Sequence, residues 1–163
     1  MRDESKATYL NIMIDSLKKK EKILEGLKAE TVKQAGILEK QELDADAFEA
    51  AINAKQGYLD ELEKQDEGFM DMYEKVKDSI KETPSDYALE IAEAKELIKK
   101  QTEMSIELQA LEEKNRTRLA VHLTSGRQKM RDFRTSSQTA AAYYKNMSNR
   151  HQEGDSYFLD SKK

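Results

Sequence analysis

Apolar residues recur three and four apart along most of the chain, and this spacing is the first guide to its structure. Leu10, Met13, Leu17, Leu24, Leu27 and Leu38 fall in one such series between about residues 5 and 40. Lys20, Thr31 and Gln34 interrupt the seam, while Ile14 and Ile23 widen the stripe beside it. The spacing predicts an amphipathic helix, weakened at Gly26 and Gly36 by about 1 kcal/mol each relative to Ala. A second series runs Phe48, Ile52, Lys55, Leu59, Leu62, Asp66, Phe69, Tyr73, Val76 and Ile80. Only Lys55 and Asp66 break it, which makes it the strongest heptad pattern in the chain. Asp46, with Glu49 three residues on, resembles a capping box for this helix.

"KETPSDY" holds the single proline. Pro84 biases Thr83 toward extended backbone, and Ser85 is positioned to cap a third helix with Asp86 in its first turn. That helix has a seam of Tyr87, Ala94, Leu97, Met104, Leu108 and Leu111, broken by Glu90 and Gln101. Beyond Leu111 apolar residues thin out to Leu119, Val121, Leu123, Met130 and Phe133, with Gly126 a candidate bend. The expected fold is all-α: an elongated antiparallel three-helix bundle or coiled-coil hairpin over 1–135. Its helices are placed near 5–40, 46–82 and 86–135, the third being long, and a less ordered tail follows over 136–163. Short connections make successive helices antiparallel.

Composition agrees. Charged and hydrophobic residues each make up 37% of the 163, with no Trp and one Pro, as expected of long helices burying narrow stripes. Net charge is −4, yet the stretch from Lys114 to Arg150 carries +8 and the remainder −12. Such asymmetry gives the C-terminal part a different kind of contact from the rest. There is no cysteine, so disulfides and thiolate chemistry are excluded. No secretory signal is visible at the start, and no run approaches the ~18 apolar residues of a membrane span.

Enzyme chemistry finds little footing. His122 and His151 are the only histidines, and Leu119 and Ser148 stand where a Glu-x-x-His motif would need Glu. Nor is there a His-Glu-x-x-His helix or a phosphate loop. No catalytic residue, cofactor or metal site is indicated. His122, beside Val121 and Leu123, reads as a partly packed helix residue. The face from Arg116 to Arg134 has the charge to meet phosphates, but Phe133 is its only aromatic, which argues against nucleic acid. In the tail, Tyr143, Tyr144 and Met147, then Tyr157, Phe158 and Leu159, either fold back on the bundle or anchor a partner.

"YLNIMIDSLKKKEKILEGL", "FEAAINAKQGYLDELEKQDEGF", "SIELQALEEKNRTRL" and, most distinctively, "AAAYYKNMSNRHQEGDSYFLDSKK" together resemble flagellar type III export chaperones of the FlgN and FliT kind. The resemblance implies a cytoplasmic, non-enzymatic protein. It would bind helical ends of hook–filament junction proteins, or of the filament cap, and deliver them to the export gate or its ATPase complex. On this reading a partner would meet Leu97, Met104, Leu108, Leu111, Leu119, Leu123, Met130 and Phe133. Tyr143, Tyr144 and Met147 would add a docking element. Polar seam residues at Lys20, Gln34, Lys55, Asp66 and Gln101 would limit self-association. Two rival readings are a self-associating coiled-coil scaffold and a nucleic-acid binder using the Arg116–Arg134 face.

Overall fold

The computed structural model describes residues 3–125, 141–143 and 145. Three long helices account for nearly all of them: α1 (Glu4–Glu39), α2 (Ala45–Glu82) and α3 (Ala88–Thr124). A 3-10 turn over Pro84–Tyr87 joins α2 to α3. The fold is thus an all-α bundle, with no strand among the described residues. At 36 to 38 residues each helix is about 55 Å long.

Local chemistry sets the helix ends. Asp3 caps α1 by accepting from the Ser5 amide, and Asp44 caps α2 by accepting from the Ala47 amide at 3.1 Å. The cap of α2 is therefore Asp44, two residues before the expected Asp46, which lies inside the first turn. Ser85 caps nothing: it lies within the 3-10 turn, and α3 begins at Ala88 without a side-chain cap. The third helix was expected to run to about residue 135. It is described to Thr124; Gly126, Met130 and Phe133, along with Tyr144 and Met147, lie outside the described residues.

α1 is the centre of the bundle. It packs along both α2 and α3, whereas α2 and α3 have no comparable backbone approach to each other. α2 runs antiparallel to α1, and α3 returns parallel to it. Three side chains of α3 reach α1 carbonyls at one constant offset of 84 residues: Gln101 to Leu17, Asn115 to Thr31 and His122 to Leu38. A constant offset means parallel helices held in one register.

Among the described residues the core comprises three apolar clusters separated by polar layers. One end holds Leu10, Met13, Leu17, Phe69, Tyr73, Val76, Ala94 and Ile98. The middle holds Ile23, Leu24, Leu27, Leu59, Leu62, Leu108 and Tyr143. Leu38, Leu43, Phe48, Ile52 and Leu119 close the other end. Between the first two clusters the Lys20 ammonium pairs with Asp66 at 3.0 Å, and Gln101 donates to the Leu17 carbonyl.

Two helix-interior glycines behave differently. A Cβ on Gly26 would come within 2.5 Å of the Tyr58 ring, which lies across α1 at that point, whereas a Cβ on Gly36 would meet nothing. Gly36→Ala is expected to stabilise the bundle by about 0.5–1 kcal/mol through helix propensity. Gly26→Ala should gain nothing, because Tyr58 must move. Urea denaturation followed by helical circular dichroism measures both.

Candidate functional site

The second polar layer, between the middle and closing clusters, is the densest chemistry among the described residues. All three helices contribute seam residues to it: Thr31 and Gln34 from α1, Lys55 from α2, Glu112 and Asn115 from α3. Each is at most 2% exposed. Seam spacing forces this. A polar residue at a seam position points inward whatever its chemistry, so α2 delivers an ammonium to the core at Lys55.

Lys55 is met from several sides. Its ammonium pairs with Glu112 Oε1 and donates to Gln34 Oε1 at 2.5 Å. Thr31 Oγ1 lies 2.7 Å from its own helix's Leu27 carbonyl and 3.0 Å from Glu112 Oε1. Asn115 Nδ2 donates to the Thr31 carbonyl at 3.0 Å. Burial pushes the Lys55 ammonium below the ordinary lysine range, and Glu112 opposes that shift without cancelling it. A buried charge of this kind is tolerated only with a partner, so Glu112 is a condition of having Lys55 here.

Tyr143 completes the layer. Residues 141–143 are helical, and the Tyr143 ring is fully buried with its centroid 4.3 Å from the Lys55 ammonium. The aromatic face supplies the cation with further electrostatic compensation. The residue also belongs to the middle apolar cluster. Of the two fates open to this residue, folding back and meeting a partner, the structure has the first. Lys145, two residues on, is exposed.

The other expected contact residues are distributed unevenly. Leu108 and Leu119 are core residues, at 2% and 4% exposure. Leu97, Met104 and Leu111 are half-buried. They share a helical row with Glu93, Lys100 and Glu107, whose ion pairs reach Lys18, Glu21 and Lys28 of α1. These three side chains therefore pack on the α1 side of α3. Leu123 is half-buried against the closing cluster. The flanks of α2 and α3 that turn away from α1 carry half-buried Gln56, Glu63 and Met70 on one helix and Thr102 and Gln109 on the other. Exposed Ile106 lies beside them.

The inward seam of α3 differs from the expected one at alternate positions. Ile98, Ser105 and Glu112 point inward where Leu97, Met104 and Leu111 were expected. Apolarity favoured the second set. The first set wins because it brings Glu112 to Lys55, and Gln101 and Asn115 to the carbonyls of α1. The signal available in the sequence was complementary: Thr31, Gln34 and Lys55 are polar at one level of two seams, which calls for a polar residue at that level of the third.

His122 is half-buried and its Nε2 lies 2.9 Å from the Leu38 carbonyl, one of the last-turn carbonyls of α1. Arg118 pairs with Glu39 across the same helix end, and Arg116 lies 3.9 Å from Glu113. Among the described residues no group of acidic and histidine side chains is arranged to hold a metal ion. No described helix is long and apolar enough to cross a membrane. No family model, curated protein or solved structure matches the chain.

Lys55→Met or Glu112→Leu alone is expected to cost about 3–5 kcal/mol by stranding the other charge, while the double variant should equal or exceed wild type. The folded chain holds the Lys55 proton less readily than the unfolded chain, so this group's contribution to stability rises with pH. It rises from the depressed value up to the ordinary lysine range near ~10.4. Between about pH 7 and pH 10 the stability difference should therefore move in favour of wild type over the double variant. Denaturant titrations of all four proteins at the two pH values test both statements.

Proposed function

We propose that this chain is a helix-binding chaperone of the flagellar export kind. It holds the helical end of a hook–filament junction protein, or of the filament cap, until the cytoplasmic export machinery takes it. One observation carries the reading: the bundle accepts a helical turn from beyond its three long helices, at residues 141–143, and buries that turn's aromatic side chain completely. Among the described residues α1 is flanked on both sides while α2 and α3 make no comparable approach to each other, a geometry that suits a further helix alongside them.

The reading moves the partner surface. Leu108 and Leu119 serve the core, and Leu97, Met104 and Leu111 serve the α1–α3 contact. The position left most open to a partner helix on the flanks turned away from α1 is Ile106, beside half-buried Thr102 and Gln109. The resemblance supplies the partner class and the geometry supplies the mode: an apolar helical stripe laid along two helices. A self-associating scaffold would need these seams for a second copy, and within one chain they already pair with each other.

Co-expression of the full chain with C-terminal helical segments of junction and cap proteins tests the reading. A one-to-one complex by light scattering is the expected result, with partner helicity increasing on binding. Failure of every such segment to bind, with the chain a tight homodimer, would instead favour the scaffold.

A further inference from the structure

We propose that the place occupied by Tyr143 is an aromatic-selective seat, and that Lys55 makes it so. The statement rests on the helix-binding reading and names the anchor that a bound helix would offer. The ring lies 4.3 Å from the Lys55 ammonium and has no exposed surface. Any side chain in this position covers a buried cation. A phenyl or phenol face compensates that cation by its quadrupole, whereas an aliphatic side chain of similar volume only desolvates it. Leu24, Leu27, Leu59, Leu62 and Leu108 of the surrounding cluster accept either kind, while Tyr58 and Met104, packed against it, suit a ring.

The polar network beside the ring is incompletely bonded. Among the described residues, Gln34 Nε2, Glu112 Oε2 and Asn115 Oδ1 are buried without a hydrogen-bond partner. They belong to the network around Lys55 and comprise one donor and two acceptors. Orphaned groups of this kind are costly inside a protein. The anchor chemistry is therefore an aromatic side chain on a helix. Partners whose apolar stripe is purely aliphatic are disfavoured at this level of the bundle.

The test uses the full chain carrying Tyr143→Ala, with Tyr143→Phe as the control that keeps a ring. Synthetic peptides copying residues 136–150, with Tyr, Phe, Leu or Ala at the position of Tyr143, are titrated against each protein by calorimetry and thermal shift. The Tyr and Phe peptides are expected to bind the Tyr143→Ala chain about tenfold more tightly than the Leu peptide. They should bind the Tyr143→Phe chain weakly. In a Lys55→Met/Glu112→Leu/Tyr143→Ala chain the aromatic preference should disappear while binding persists. Equal binding of the Tyr and Leu peptides, a preference that survives loss of Lys55, or no binding by any peptide would overturn the seat. The co-expression result with partner helices stands apart from these outcomes, so failure of the seat and failure of the chaperone reading are separately visible.

Discussion

The Lys55–Glu112 pair is the constraint around which this bundle is arranged. An ammonium placed in the middle of a heptad seam has no route to water, so the third helix must bring a carboxylate to it. Glu112 does so only when α3 turns Ile98, Ser105 and Glu112 inward. That rotation sends Leu97, Met104 and Leu111 to the flank against α1. It also aims Gln101 and Asn115 at carbonyls of α1. Shifting α3 along its axis by a turn would strand a buried charge and lose the bonds to the α1 backbone together. Apolar seams alone tolerate such slips, and polar layers penalise them.

Tyr143 extends the same logic beyond the three long helices. Its ring lies 4.3 Å from the ammonium and comes from outside the three long helices. The residue is thus both the end of the core and the beginning of the proposed binding chemistry. Burial of the ring and burial of the cation depend on one another. The chemistry by which the bundle holds its own tyrosine is also what it would use to choose a partner's anchor.

Much of the fold was legible from spacing. The nine seam positions of α1, from Leu10 to Leu38, are all buried, including Lys20, Thr31 and Gln34. Periodicity outranked residue type there. On α3 two series compete one residue apart, and intrinsic apolarity selects the wrong one. The correct phase depends on pairing with Lys55, a long-range relation that a single helix does not reveal. The same limit applied to Tyr143. A short aromatic run after a polar stretch suits packing and docking equally, and the buried cation that decides between them lies 88 residues away in the chain. The expected cap of α2 failed for a local reason, because Asp44 and Asp46 are equivalent by residue type and spacing alone does not choose between them.

Proton NMR of the full chain in solution tests the central claim, that the Tyr143 ring rests on the Lys55 side chain inside the bundle. Ring-current shifts should move the Lys55 ε-methylene protons well upfield, with nuclear Overhauser contacts from them to the Tyr143 ring. The shift should vanish in Tyr143→Leu and persist in Tyr143→Phe. Lys55 methylene protons at random-coil positions, with no contact to Tyr143, would contradict the account.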